Sequence, residues 1–417
     1  MQAEFQSIAF NPAEPKAALS ELPREAAVFA LYGGEAAHAE PYIGRTPNLR
    51  GRLERLLIPS PSHPKRLQLA GRVRRIEWRV TGSDFEALLL QFELLQKVYG
   101  SKAVDRMHLR MPAFVRFLGS NPYPRITITN RPSLREAGWS YGPFASRAAA
   151  ERFADEMLKL FLLRRCTDDL NPDPSHPGCV YSEMKMCLAP CYKGCTDERY
   201  AEESSEVQNF LATRGESKLV TLKIKRDAAS SNLEFESAAA LHAQVQKVES
   251  VRALAPELAR PLNQLHAVIL QESAQPDEVA VFLFDQGRLC GPAAFSTLGM
   301  RIQNEQSGSS SLFAQPMALA PIPENSSEGP ASPQVARNIL EDRMQTILTE
   351  LAASDQQPDA TTRQGHMALL KRWYYRPEVK RPGEICFPDA EGHWPIKAML
   401  RSIGRVAAKS LAAAKSS

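Results

Sequence analysis

Five of the seven cysteines in this 417-residue chain, Cys166, Cys179, Cys187, Cys191 and Cys195, fall within thirty residues, and the first four are spaced C-x12-C-x7-C-x3-C. Thiolates are soft donors, and four of them on loops can wrap a tetrahedral zinc ion or an iron-sulfur cluster. Zinc sites more often show C-x2-C pairs than this looser spacing, and buried thiols without a metal are the plainer alternative. A second chemical stretch is PYIGRTPNLRGRL, residues 41 to 53, where Tyr42, Gly44, Arg45, Arg50 and Arg52 crowd together and Arg55 follows. Guanidinium groups at this density suit phosphate contacts. They equally suit the polar side of an amphipathic helix whose apolar stripe is Leu49, Leu53, Leu56 and Leu57. In LLKRWYYRPEVKR, residues 369 to 381, Trp373, Tyr374 and Tyr375 stand among basic residues. Such rings stack on unpaired bases or fill a core.

Charge is uneven. The net value is only +4, yet Gly44 to Arg79 holds ten Lys or Arg against two Glu, and the segment from Thr361 to Ser417 holds eleven against four acids. Two basic zones fit a polyanion bound at more than one place, or the solvated faces of ordinary helices. No stretch reaches the roughly 20 apolar residues of a membrane helix. The opening MQAEFQSIAFNPAEPK has neither the basic start nor the apolar centre of an export signal. A cytoplasmic location with no membrane partner is therefore expected, and clustered cysteines in a reducing compartment favour ligation over disulfides.

The elements that must position these residues are legible in outline. AAVFALY and PYIG read as strands, RTPNLRGRLERLL as a helix, RVRRIEWRVTG as a third strand, and SDFEALLLQFELLQKVYG as a helix capped by Ser83 or Asp84. This predicts an α/β (α+β) fold beginning with a small mixed sheet flanked by helices. PRITITN reads as a strand after a loop region spanning 100 to 122, and a helix is expected from Ser146 to Leu163. A polar helical region over 198 to 252 divides near Asn232. Residues 265 to 297 suggest an antiparallel set of strands, 304 to 334 a linker by composition, and Gln334 to Ala352 a helix before a basic tail.

Taken in order, VFALY, PYIGRTPNLRGRL, EALLLQ, PYPRITIT, YGPF, the cysteine segment and NLEFESAA resemble the N-terminal two thirds of UvrC, the incision subunit of bacterial nucleotide excision repair. The resemblance implies a GIY-YIG nuclease domain that uses Mg2+ or Mn2+ to cut DNA. It places Tyr42 and Gly44 on the YIG element, Arg45 where a lysine or arginine is usual, and Arg52 at the catalytic arginine. It also implies that Cys166, Cys179, Cys187 and Cys191 hold a 4Fe-4S iron-sulfur cluster, with Zn2+ the alternative and Cys195 surplus. Residues 217 to 250 resemble the UVR hairpin that docks on a UvrB-like helicase. There Phe235, Ala239, His242 and Val245 or Gln246 recur at helical spacing, and Phe235 is the candidate partner anchor; packing of the hairpin on its own domain is the alternative. HAVILQ and DEVAVFLFDQGRLCG resemble the opening strands of the family's RNase H-like half, whose later catalytic signature is not found in this chain.

Departures fall where the chemistry is exacting. The first tyrosine of the signature is Phe29, the metal-binding glutamate is Gln91, a later aromatic or histidine is Leu56, and the expected asparagine aligns best with Phe114. Helical spacing turns Glu86 and Glu93 some 140 to 160° away from Gln91. A neutral amide is a poor sole protein ligand for a hard divalent cation. Arg45, Arg50, Arg52 and Arg55 need no metal to hold phosphates. The chain is thus read as UvrC-like, incising or binding damaged DNA through a partly degenerate domain. The alternatives are a non-catalytic DNA- and partner-binding adaptor and a regulatory module whose cluster reports iron or redox state. The expected division is 1–145 GIY-YIG-like, 146–200 helix and cysteine-rich region, 201–255 UVR-like hairpin, 256–303 partial RNase H-like strands, 304–334 linker and 335–417 helix and basic tail.

Overall fold

The computed structural model describes residues 4–34, 40–58, 69, 71–133, 138–167, 170–298, 300, 333–353 and 359–416. It divides into two compact units, one made of residues 1–109 with 266–417 and the other of residues 110–265. Both combine helices with antiparallel sheets of four strands.

In the first unit β1 (Gln6–Ala9), α1 (Pro15–Ser20), β2 (Ala27–Tyr32), β3 (Tyr42–Thr46), α2 (Leu49–Leu57), β4 (Arg75–Val80), α3 (Asp84–Tyr99) and α4 (Ala103–Arg106) come first. The sheet order is β1-β4-β2-β3 and every pairing is antiparallel, which corrects the expected mixed sheet. Central β2 is covered on both sides, and this explains its unbroken apolar run. Ala27, Phe29 and Leu31 join Leu49, Leu53, Leu56 and Leu57 of α2 in one core, while Val28 meets Ala87 and Leu90 of α3 in another. Asn48 caps α2 by accepting from the Gly51 N–H at 2.8 Å, and Ser83 caps α3 by accepting from Glu86 N–H at 3.1 Å.

The second unit contains β5 (Ala113–Phe117), β6 (Ile126–Thr129), β7 (Ser140–Phe144), α5 (Arg147–Leu158), α6 (Val180–Glu183), α7 (Asp197–Ala212), α8 (Glu216–Ser231), α9 (Phe235–Leu254) and β8 (Arg260–Pro261). Its sheet runs β6-β5-β7-β8. The 100 to 122 region holds a strand, β5, rather than loop alone, and 198 to 252 holds three helices rather than two. The added break falls at Gly215, whose φ of +83° suits glycine and where a Cβ would lie 2.9 Å from both Phe210 and Arg252.

The chain then returns to the first unit with β9 (His266–Glu272), β10 (Glu278–Asp285), β11 (Arg288–Ser296), α10 (Pro333–Ala352), α11 (Ala360–Tyr374), β12 (Glu384–Cys386) and α12 (Ile396–Ser416). Except for residues 333 and 334, the expected 304–334 linker lies outside the described residues. The basic tail is helix, strand and helix: β12 pairs with β9 at the edge of a sheet ordered β11-β10-β9-β12. One face of that sheet, with Val279, Val281 and Leu283, packs on Met344 and Leu348 of α10 and on Met399 and Ile403 of α12. The other face turns Phe282 toward Phe85 of α3, ring centroids 5.1 Å apart, and Phe85 meets Trp373 of α11 at 5.4 Å. Contact between α11 and α3 is close enough that a Cβ at Gly365 would lie 1.9 Å from Cζ of Phe92. Trp373 is fully buried and donates its indole N–H to the Pro382 carbonyl at 3.1 Å, so it is core and does not stack on a base.

Candidate functional site

Strand parity sorts the residues of the YIG element. Phe29 faces Gly44 and Leu31 faces Tyr42 in the β2–β3 ladder, on the side of the sheet covered by α2. Phe29 is buried, its ring centroid is 6.1 Å from that of Tyr42, and a Cβ at Gly44 would come 2.8 Å from its Cζ. Arg45 opposes Val28 and points to the α3 side, where its guanidinium pairs with the Asp84 carboxylate. Tyr99 near the end of α3 donates to the Pro41 carbonyl at 2.9 Å, tying that helix to the start of β3.

The arginines of α2 differ in what they hold. Arg50 is half-buried and donates Nε–H to the Leu22 carbonyl at 2.7 Å, a structural tie. Arg55 is exposed and donates back to the Gly51 carbonyl at 2.9 Å. Arg52, one position beyond Gly51, is half-buried.

On α3, Gln91 is half-buried and lies two turns from Asp84 on the same side of the helix. Glu86 and Glu93 lie on another side, with Arg79. The Glu86 carboxylate accepts from the Gly82 N–H at 2.9 Å and lies 3.9 Å from Arg79; burial pushes its pKa up, against the pull of both partners. Burial raises Glu93 to about 6, with Arg79 opposing. Phe114 belongs to the second unit, buried in β5 against Gly142. Among the described residues no group of three or more His, Cys, Asp or Glu is placed to hold a metal ion.

In the second unit, Cys179 caps α6 and Cys191 sits in a tight turn flanked by Ala189 and Lys193, both left-handed at φ +55° and +59°. Leu188 donates to the Leu162 carbonyl at 3.0 Å, and Asp173 to the Cys191 carbonyl at 2.9 Å, folding the loop onto itself. Burial raises the Cys187 thiol, and repulsion from Cys179, Cys191 and Cys166 adds to it; burial followed by Cys179, and to a lesser degree Cys166, raises Cys191. Cys187 and Cys191 thus each feel Cys166 and Cys179, although no three of these described thiols are placed as a metal-holding group. Cys195 is raised by burial and Asp197, and its neighbours are Asp197 and Arg199. Buried Arg164 donates to Cys166 Sγ at 3.5 Å and to the Tyr123 carbonyl at 2.9 Å. As a donor set, four thiols suit an iron-sulfur cluster or zinc.

Along the α8–α9 hairpin, Val245, Val248 and Val251 are buried in the unit's core. Leu233 and Phe235 at the tip are 71% and 66% exposed, and Ile224 is 64% exposed. His242 is exposed and bonds Gln246. Sequence reasoning did not single out Asp84 as the partner of Arg45, nor Arg376 as the second partner of Asp84. Arg376 Nη2 lies 2.8 Å from Asp84 Oδ2, a pairing of residues nearly three hundred positions apart for which the sequence holds no local signal.

Comparison with known proteins gives a family likeness over part of the chain. Residues 114–210 match the family model of the UvrC/Cho excinuclease middle domain. The chain is similar to UvrABC system protein C of Alcanivorax borkumensis, 28% identical over 239 residues, covering 57% of this chain and 39% of that protein. It is also similar to the protein of that name from Rickettsia bellii, 26% identical over 276 residues, covering 66% and 42%, and from Ruminiclostridium cellulolyticum, 27% identical over 283 residues, covering 66% and 45%. No solved structure matches. Over part of its length the chain is therefore homologous to the UvrABC protein C family. It spans about two fifths of the length of the curated relatives it matches. No described helix is long and apolar enough to cross a membrane.

Proposed function

We propose that this protein is a UvrC-like DNA-repair component that grips DNA and a helicase partner without cutting, a pseudo-nuclease adaptor. Gln91 is the observation that carries the reading. Its amide stands on α3 at the position where the resemblance implies a metal-binding carboxylate, and amide oxygen alone binds Mg2+ or Mn2+ poorly. Phe29 reinforces it, since a buried ring without a hydroxyl faces Gly44 where the signature's first tyrosine is expected. Phosphate contact by Arg45, Arg52 and Arg55 requires neither group. A second reading, a metal-dependent endonuclease using Tyr42, Arg45 and Arg52, is favoured by the retained pairing of Tyr42 and Gly44 with β2.

Two further parts complete the proposal. Cys166, Cys179, Cys187 and Cys191 would hold a 4Fe-4S cluster, an electron-storing group whose binding would draw the cysteine loop together; the donor chemistry of four thiols and the repulsion that Cys187 and Cys191 feel from the other two support it. Leu233 and Phe235, exposed at the hairpin tip, would anchor a UvrB-type helicase.

Full-length protein incubated with nicked, bubbled and flapped DNA and either metal tests the reading. Salt-dependent binding without cleavage is expected, and Gln91→Glu should introduce cleavage that Arg52→Ala abolishes. Wild-type cleavage equal to that of Gln91→Glu overturns it. Anaerobic purification should give a brown protein; a colourless protein containing zinc replaces the cluster assignment.

A further inference from the structure

We propose that Arg45, Arg372 and Arg376 form a phosphate-binding site for the DNA backbone, with Asp84 as the resident anion that a phosphodiester displaces. This rests on the DNA-binding reading and extends it to residues of the C-terminal segment. Three elements build the site: β3 supplies Arg45, the first residue of α3 is Asp84, and α11 delivers Arg372 in its last turn and Arg376 just beyond. One carboxylate oxygen pairs with Arg45 and the other with Arg376 Nη2 at 2.8 Å. Arg372 Nη1 reaches the Met107 carbonyl at 3.5 Å. Burial first, then the proximity of Arg45 and Arg376, weakens the hold of Arg372 on its proton, and Asp84 opposes this.

One carboxylate offsets one of three guanidinium charges, so the cluster carries an excess of two. The side chains remain reachable: Arg45 is 30% exposed, Arg376 25% and Asp84 34%. Ion pairs that keep a quarter to a third of their surface in water are partly screened, and another anion can reach them. A phosphodiester carries one negative charge shared by two non-bridging oxygens, a geometry that matches the guanidinium fork. The location also fits. Asp84 and Gln91 share one side of α3, so fixed guanidinium groups supply positive charge on the flank where a metal ligand is replaced by an amide.

The alternative is a salt-bridge staple that only fastens α11 to the N-terminal sheet. The two predict opposite results for Asp84→Asn. Removing the resident anion from a phosphate site tightens DNA binding several-fold, whereas removing it from a staple lowers the melting temperature and leaves DNA binding unchanged or weaker. Filter binding or fluorescence anisotropy of the full chain on a nicked duplex, from 50 to 300 mM salt, reads this directly. For Arg372→Ala/Arg376→Ala the affinity should fall about tenfold near 0.1 M salt, and the slope of log K against log salt should shrink by about 1 to 2. Arg376→Lys, which keeps the charge and loses the fork, should fall between wild type and Arg376→Ala in affinity, with thermal melts confirming that each variant folds. An unchanged slope in the double variant, or unchanged or weakened binding by Asp84→Asn, overturns the site. If Arg52→Ala weakens binding and the double variant does not, only this inference falls. If wild type binds no DNA, the DNA-binding reading falls with it.

Discussion

Gly44 lies directly across the β2–β3 ladder from Phe29, and its missing side chain leaves the space that the buried ring occupies. A methyl group at position 44 has nowhere to go, because Phe29 is itself walled in by Leu49, Leu53 and Leu56. Gly44→Ala should therefore destabilise the first unit by about 1 to 3 kcal/mol, the usual cost of overpacking. Phe29→Leu in the same chain should recover part of that loss. A double-mutant cycle by urea denaturation measures the coupling.

Trp373 joins α11 to Phe85 and Phe282, the aromatic seam between the N-terminal helix and the C-terminal sheet. Truncation to alanine should cost about 3 to 5 kcal/mol of unfolding free energy. The same substitution at half-buried Tyr375 should cost clearly less. Guanidinium titration of the full chain followed by far-UV circular dichroism compares the two.

Two buried groups give the first unit opposing pH responses. His366 is packed against Phe92, its Nδ1 accepts the Leu289 N–H at 2.9 Å, and burial lowers its pKa to about 4, with Arg288 adding to the effect. The unfolded state binds the proton more tightly, so this contribution is intact above pH 6.5 and is lost as pH falls toward 4. Glu93 is the reverse. Raised to about 6, it favours folding below pH 4.5, and that contribution disappears as pH rises through 6. Glu93→Gln should therefore stabilise the protein at pH 8 by up to about 2 kcal/mol and change little at pH 4. Melting temperatures across pH 4 to 8 check both signs.

Phe235 and Leu233 contribute little to folding because most of each side chain meets water. Substituting both, Leu233→Ser and Phe235→Ser, should leave stability within about 0.5 kcal/mol. Binding to a UvrB-type helicase, measured by calorimetry, should fall at least tenfold if the tip is the anchor. Retained affinity would remove the tip from the partner surface.

What was legible in the sequence was local. The leucine stripe of α2 and the Ser83 cap of α3 are written in spacings of three and four, and the β9 to β11 strands in their apolar runs. Strands β1, β5 and β7, four or five residues long, are not legible there, whereas β3 and β6 of the same length are, β6 because ITIT alternates. Three-residue β12 exists because Leu270, Ile269 and Val268 of β9 offer it an edge, a pairing across more than a hundred residues that no window can see. The same holds at the candidate site. Tyr42, Arg45 and Gln91 could be named from the signature, but the partnership of Asp84 with Arg376 joins residues far apart in the chain. Trp373 could be read only as stacking ring or core for a related reason: the wall that makes it core, Phe85, comes from the other end of the sequence.

That interleaving has a consequence during synthesis. The second unit has all of its strands once Leu265 leaves the ribosome, whereas Phe85 and Phe92 await Phe282, His366 and Trp373. At ~5 to 20 residues per second, the nascent first unit waits roughly fifteen seconds to a minute with those rings uncovered. Yield in a cell will depend on chaperones that shield the half-made chain, and slowing translation should increase aggregation.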